Sequence, residues 1–91
     1  MTFVYMIRDL KERLYIGVSD DPQRRLYDHN HKAGAVFTTY GGFKIVFLEK
    51  HASLKEARKR EIQIKKWRRE KKEMLISRFV MKLPTKLMSF L

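Results

Sequence analysis

Residues 3–18 read FVYMIRDLKERLYIGV, and this stretch decides the fold. Two apolar runs of five residues, 3–7 and 14–18, are rich in β-branched and aromatic side chains, which is typical of buried strands. The mostly polar residues 8–13 separate them. Because so short a gap favours a direct return of the chain, the stretch predicts an antiparallel β-hairpin.

The hairpin brings a small set of tyrosine and glycine residues together. Side chains alternate between the two faces of a strand, so Tyr15 and Gly17 share one face of the second strand. In a hairpin centred on residues 10–11, Tyr5 of the first strand lies close to opposite Tyr15. A glycine inside a strand marks a bend or a close approach of another group, and Gly17 is therefore of interest.

A helix and a third strand are predicted after the hairpin. Asp20 or Asp21 can cap the helix, and Pro22 suits its first position, where a backbone N–H would lack a partner anyway. We expect this helix over residues 23–32. The run FKIVFLE at residues 43–49 then predicts a strand.

The second half of the chain predicts two helices. Ser53 and Glu56 have the spacing of a capping box at the start of a helix, which we expect to run from residue 54 to about residue 69. A further helical stretch is predicted at about residues 71–81. Pro84 then ends any helix before the C-terminus.

The order of elements predicts an α/β domain of the α+β type, with a small, three-stranded, mainly antiparallel sheet flanked by helices. With 91 residues the chain has room for one domain, which we expect over residues 1–82, followed by an apolar C-terminal tail at residues 83–91. The longest apolar runs have five residues, far short of the roughly 20 that span a bilayer, so no membrane partner is expected.

Composition narrows the chemistry and the partner. The chain has no cysteine, which excludes disulfides, cysteine-ligated metals and a thiol nucleophile and is compatible with a reducing cytoplasm, the location that we expect. Its net charge is +11, from 21 Lys and Arg against 10 Asp and Glu. Residues 55–73 alone carry 10 basic and 4 acidic side chains, a net charge of +6. A positive segment of this kind favours a polyanionic partner, most often nucleic acid.

Glu61 is the carboxylate that stands out in this basic segment. It shares a helical stripe with the small or apolar residues Ala57 and Ile64, which is an unusual place for a solvated acid. Two interpretations are open. Glu61 is either a rim residue paired with Lys65 or Arg58, or a carboxylate that points into a cleft and holds a hard divalent cation such as Mg²⁺.

Arg25 and His29 are four residues apart on the first predicted helix, so their side chains can act at one place. Combined with Val-Tyr at residues 4–5 and Tyr-Ile-Gly at residues 15–17, this spacing resembles the GIY-YIG nuclease superfamily. Arg25 follows Tyr15 by ten residues, where that family places its catalytic arginine. Phe3 stands where the first motif has a glycine, as is common among small members.

Residues 57–72 are similar to the Ala-x-x-Arg-Glu…Ile-Lys-Lys-Trp segment of the small, single-domain bacterial members of that superfamily, relatives of the excision-repair endonuclease. The resemblance covers about residues 1–77. It implies a GIY-YIG-like fold and a divalent-metal-dependent DNA endonuclease that works in DNA repair or processing.

The resemblance also implies a set of site residues. The implied catalytic residues are Tyr5, Tyr15, Arg25, His29 and Glu61, of which Glu61 would bind a single Mg²⁺ or Mn²⁺. The implied DNA-binding residues, which would contact phosphates without reading sequence, are Lys65, Lys66, Arg68, Arg69, Lys71 and Lys72.

Two alternatives belong to other functional classes. The first is a non-catalytic DNA-binding module on the same fold. The second is an adaptor that docks to a protein partner, or to a second copy of itself, through the apolar tail, which contains Leu87, Met88, Phe90 and Leu91.

Overall fold

The computed structural model describes residues 1–31 and 42–88, with the side chains of residues 29–31 excepted. In this part of the chain a three-stranded antiparallel sheet has the order β2-β1-β3, with strands β1 (Thr2–Arg8), β2 (Leu14–Ser19) and β3 (Lys44–His51). The described helices are α1 (Pro22–His31), α2 (Leu54–Lys65) and α3 (Arg69–Val80). The predicted fold class is confirmed. No helix of the described residues is long and apolar enough to cross a membrane.

The register of the hairpin differs from the prediction. Tyr5 pairs with Gly17, and Tyr15 pairs with Ile7, so the hairpin is centred on residue 11. The two tyrosines are therefore diagonal neighbours and not nearly opposite each other. This places Gly17, which has no side chain, directly beside the Tyr5 ring.

Asp9 sets this register by closing the loop between the two strands. Its side-chain Oδ1 accepts hydrogen bonds from the backbone N–H groups of Lys11 and Arg13, each at 2.9 Å. The Asp9 backbone N–H also donates to the Arg13 carbonyl at 3.1 Å, and Glu12 takes a left-handed conformation with φ of 65°. An Asp that bonds to backbone groups two and four residues ahead fixes the loop length, and hence the pairing.

The core lies between one face of the sheet and the helices α2 and α3. Val4 and Met6 of β1 are fully buried and join Phe47 of β3 in this core. Ala57 and Ile64 supply the apolar face of α2, and neither is accessible to solvent. This contact fixes which way α2 faces, and therefore where its remaining side chains point.

The two predicted helices of the second half have shifted boundaries. The first ends at Lys65, not near residue 69, and the second begins at Arg69, not residue 71. The break comes at Trp67, whose backbone N–H bonds to Ile64 while its half-buried ring packs against the core. Burial of the Trp67 ring requires the chain to turn here, and this overrides the helical propensity of the surrounding lysines. At the start of α2, Ser53 caps the helix as predicted.

A buried ion pair fastens the segment after α3 to the sheet. The Arg60 Nε donates to the Glu49 carboxylate at 2.8 Å, and its other nitrogens donate to the carbonyls of Thr85 at 2.8 Å and Met88 at 2.6 Å. Burial acts to raise the pKa of Glu49, but the hydrogen bonds and charge of Arg60 outweigh it, and the pKa is lowered. Met88 belongs to the buried core. The boundary between domain and tail stays a prediction, and Phe90 and Leu91 lie outside the described residues.

A second ion pair joins the hairpin to α3. Arg8 donates two hydrogen bonds to the Glu73 carboxylate, at 2.9 and 2.8 Å, and Arg69 adds a third at 2.7 Å. Mainly because of the hydrogen bonds from Arg8, the pKa of Glu73 falls from 4.5 to about 2. The ionised carboxylate therefore stabilises the fold above pH 4.5, and this contribution is lost as the pH falls from 4.5 towards 2.

Replacing Glu73 with glutamine should lower the free energy of unfolding at pH 7 by about 1 kcal/mol, a value reduced by the partial exposure of the pair. The deficit should shrink as the pH is lowered towards 2, because the wild-type carboxylate then becomes neutral as well. Urea unfolding at several pH values measures this. Asp28→Asn is the control, since Asp28 is exposed and forms no ion pair within the described residues. Equal pH profiles for the Glu73→Gln variant and the wild type would contradict the assignment.

Candidate active site

A cleft of about 360 Å³ lies where the edge of the sheet meets α1 and α2. Its lining comes from both strands of the hairpin and from both helices, and consists of Tyr5, Tyr15, Ile16, Gly17, Val18, Arg25, Arg58 and Glu61. The cleft thus holds four of the five predicted catalytic residues. The side chain of the fifth, His29, lies outside the described residues, although its backbone belongs to α1.

Tyr5 forms the inner wall of the cleft. The residue is 4% exposed, and its ring lies against Gly17 of the neighbouring strand. A Cβ atom built on Gly17 would overlap the Tyr5 hydroxyl and would come within 2.9 Å of its Cε2 atom. The Tyr5 hydroxyl has no hydrogen-bond partner among the described residues. It is also not among the fully buried polar atoms that lack a partner. It is therefore available to a molecule in the cleft.

Replacing Gly17 with alanine should push the Tyr5 ring away and destabilise the fold by roughly 1–3 kcal/mol, the usual cost of overpacking. The cause can be isolated with a double-mutant cycle, because Tyr5→Ala removes the ring that the new methyl group would strike. In the Tyr5→Ala background we expect Gly17→Ala to cost under about 0.5 kcal/mol. Chemical unfolding of the four proteins measures the coupling. Additive effects would show that Tyr5 is not the constraint.

Tyr15 stands at the outer side of the cleft and is 38% exposed. Its hydroxyl donates to Asp9 Oδ2 at 3.3 Å, so the residue that closes the hairpin loop also orients Tyr15. Phe43 packs edge-on against the Tyr15 ring, with 5.6 Å between the ring centroids. The two tyrosines therefore differ, since the Tyr5 hydroxyl lacks a partner in the described chain and the Tyr15 hydroxyl has one.

Glu61 pairs with a lysine, as the first interpretation of its sequence position requires, and it also faces a cleft, as the second requires. Its binding of a cation stays a prediction. Its carboxylate lines the cleft, and Oε2 also lies 3.3 Å from the Lys65 ammonium group. The Glu61 side chain is only 13% exposed, whereas that of Lys65 is 54% exposed. An ion pair that water reaches on the lysine side contributes no more than about 1 kcal/mol, so Lys65 can leave Glu61 at little cost when another cation arrives.

The cleft suits a magnesium ion that is held mainly through water and substrate. Among the described side chains, those of residues 1–28 and 42–88, no group of three or more His, Asp or Glu side chains could enclose a metal. Mg²⁺, however, keeps several of its waters and is commonly bound through one or two carboxylates together with substrate phosphates. Glu61 is the carboxylate that lines this cleft, so it is the residue that could hold such an ion.

Arg25 reaches the cleft from α1 because of how that helix begins. Asp21 caps the helix by accepting from the Arg24 N–H at 3.2 Å, and Pro22 occupies the first turn, as predicted. Arg25 then lines the cleft, and Arg24 does not. Arg25 is exposed and has no ion pair in the described part of the chain, so its guanidinium is free to bind an anion.

Arg58 is a cleft residue that the sequence interpretation did not assign to the site. Its spacing makes it a candidate partner for Glu61, three residues later, but the structure pairs Glu61 with Lys65. The signal that could have identified it is the same helical spacing that singled out Glu61, since residues three apart share a helix face.

The predicted DNA-binding residues are divided by the break between α2 and α3. Lys65 pairs with Glu61, Arg69 pairs with Glu73, and Lys71 lies 3.9 Å from the centre of the Trp67 ring. The other three predicted residues form no ion pair within the described residues. They are Lys66, Arg68 and Lys72. Half of the predicted DNA-binding residues therefore already contact another side chain of the protein.

Comparison with known protein families matches residues 1–74 to the GIY-YIG catalytic domain. The chain belongs to this family. The match covers β1, β2, α1, β3 and α2, and therefore every residue that lines the cleft of this GIY-YIG domain. Membership of this family assigns the chain to a family of nuclease domains.

Relatives of this GIY-YIG domain are small bacterial proteins named UPF0213. One from Clostridium perfringens is 37% identical over 78 residues, covering 85% of this chain and 84% of the relative. One from Staphylococcus saprophyticus is 34% identical over 76 residues, which cover 82% of this chain and 93% of the relative. One from Staphylococcus aureus is 36% identical over 75 residues, covering 81% and 92%. No solved structure gives a significant match.

Proposed function

We propose that this GIY-YIG domain is a divalent-metal-dependent DNA endonuclease that acts in DNA repair or processing. The observation that carries the proposal is the convergence of Tyr5, Tyr15, Arg25 and Glu61 on one cleft. Phosphodiester hydrolysis needs an activated water, stabilisation of the charge on the phosphate oxygens, and help for the leaving oxygen. The cleft offers groups suited to the first two needs. Glu61 would hold the cation that assists the leaving oxygen.

Glu61 would hold one Mg²⁺ or Mn²⁺, which when bound supplies positive charge beside the phosphate. Arg25 binds the scissile phosphate, because its planar guanidinium matches two phosphate oxygens better than an ammonium group does. The two side chains come from different helices, so the phosphate is held between α1 and α2.

Tyr5 is the proposed general base or water-positioning group. Its hydroxyl opens to the cleft without a competing partner in the described chain, which leaves it free to bond to a water. A free tyrosine has a pKa of about 10, so it needs positive charge nearby to accept a proton at neutral pH. Arg25, which lines the same cleft, carries such a charge. Tyr15 and His29 are proposed to position groups or to relay the proton, with Tyr15 linked to Asp9.

DNA is the proposed partner, and the cytoplasm, where bacterial DNA lies, is the proposed location. The predicted set from Lys65 to Lys72 would contact phosphates, with Lys66, Arg68 and Lys72 the members without a competing ion pair in the described chain. The adaptor alternative is weakened, because Met88, one of the four apolar tail residues on which it rests, is buried in the core.

Nicking of supercoiled plasmid, with Mg²⁺ and with a chelator in its place, tests the proposal. We expect conversion to the open circle with Mg²⁺ or Mn²⁺ and none in the chelator. Tight DNA binding without nicking under any divalent ion would support the non-catalytic DNA-binding module instead.

A further inference from the structure

Arg58 is a second guanidinium in the cleft, and it has no ion pair within the described residues. It lies three residues before Glu61 on α2, close enough to pair with that carboxylate. Glu61 nevertheless pairs with Lys65, four residues later. The exposed Arg58 side chain is therefore left facing the cleft with its charge unmatched.

Arg58, Glu61 and Lys65 form a stripe along α2, with one cation on each side of the carboxylate. At 1.5 Å per residue, Arg58 is about 4.5 Å before Glu61 along the helix axis and Lys65 about 6 Å after it. One DNA strand carries one charge per roughly 3.4 Å of rise along the duplex axis, and neighbouring phosphates lie farther apart than this because the strand winds around the axis. A stripe of about 10.5 Å therefore has the length needed to contact the scissile phosphate and a neighbouring one.

We propose that Arg58 binds the phosphate next to the scissile one on the cleaved strand, so that this strand runs along α2 with Arg58 and Lys65 on either side of Glu61. The inference rests on the proposed nuclease function. Arg25, which enters from α1 on the other wall, holds the scissile phosphate itself. Arg58 acts by binding the substrate and takes no part in the proton transfers.

The neighbouring Lys59 provides a matched control. It carries the same charge, is also exposed, and is one residue further along α2. It lines two other grooves and not the cleft, because consecutive residues point about 100° apart on a helix. If DNA affinity fell only because the net charge was lowered, it would fall equally for Arg58→Ala and Lys59→Ala.

Fluorescence anisotropy with a labelled duplex at a series of salt concentrations tests the contact. We expect Arg58→Ala to raise Kd roughly 5–10-fold and to reduce the slope of log K against log salt by about 0.9, the value for one lost phosphate contact. Lys59→Ala should raise Kd less than about twofold, with the slope unchanged. Equal changes in the two variants would overturn the proposal.

Cleavage kinetics on the same duplex separate this inference from the proposed function. Arg58→Ala should raise KM and change kcat little, because a contact with a non-reacting phosphate is equally strong before and during the reaction. If the wild type binds with the predicted Arg58 dependence but never cuts, the nuclease proposal fails and the strand contact stands. If the wild type cuts and the two variants behave alike, the nuclease proposal stands and the Arg58 assignment fails.

Discussion

Arg25→Ala is expected to lower the rate of DNA cleavage roughly 10²–10³-fold while leaving the protein folded. The loss should be large because Arg25 enters the cleft from α1 and would stabilise charge that develops on the phosphate during the reaction. The free energy of unfolding should change by less than about 0.5 kcal/mol, since Arg25 is exposed and has no ion pair in the described chain. Initial rates of plasmid nicking, with urea unfolding of the same preparations, measure both quantities.

Arg24→Ala is the internal control for this experiment. Arg24 is the adjacent residue on α1, carries the same charge and is exposed, but it does not line the cleft. It should nick DNA at nearly the wild-type rate. Arg25→Lys should not restore activity, because an ammonium group cannot bond to two phosphate oxygens in one plane. Equal rates for Arg24→Ala and Arg25→Ala would remove the phosphate-binding role of Arg25.

Glu61→Gln is expected to abolish cation-dependent cleavage, with a loss on the order of 10²-fold or more. The substitution keeps the size of the side chain and removes the anionic oxygen that the ion requires. Because the pair with Lys65 is partly exposed, its loss should cost less than about 1 kcal/mol, and the variant should fold. Calorimetric titration with Mg²⁺ should show weaker binding than in the wild type.

Glu56→Gln is the matched control for the metal. Glu56 is exposed on α2, away from the cleft, so its loss removes one negative charge without touching the site. It should keep the wild-type affinity for Mg²⁺. If Glu61→Gln also keeps that affinity, Glu61 is not the ligand. If Glu61→Gln unfolds instead, Glu61 has a structural role and the cleft assignment loses its support.

Local patterns were enough to predict the elements of the fold, and the resemblance to the GIY-YIG family implied four of the residues that line the cleft. The strands of the hairpin follow from short-range apolar runs, and the starts of α1 and α2 follow from Asp21 and Ser53, which bond to backbone groups three residues ahead. Tyr5 and Glu61 line the cleft as expected. These features depend on few neighbours in sequence, so the sequence displays them directly.

Features that depend on distant contacts were missed. The Arg60 side chain bonds to Glu49, which is 11 residues away, and to the carbonyl of Met88, 28 residues away. Nothing in the spacing of Arg60 distinguishes it from the exposed basic residues around it. The end of α2 was likewise set by burial of the Trp67 ring. The hairpin register was predicted incorrectly for a related reason. It depends on the geometry of one side chain, that of Asp9.

The central claim is that the cleft between α1 and α2 is a nuclease active site, and single-turnover cleavage of a flapped duplex with saturating Mn²⁺ tests it most directly. The wild type and Arg24→Ala should cleave at similar rates, while Arg25→Ala and Glu61→Gln, purified in the same way, should be slower by roughly 10²-fold or more. A wild type that binds the duplex without cutting it would contradict the claim, and so would four proteins that cut at the same rate.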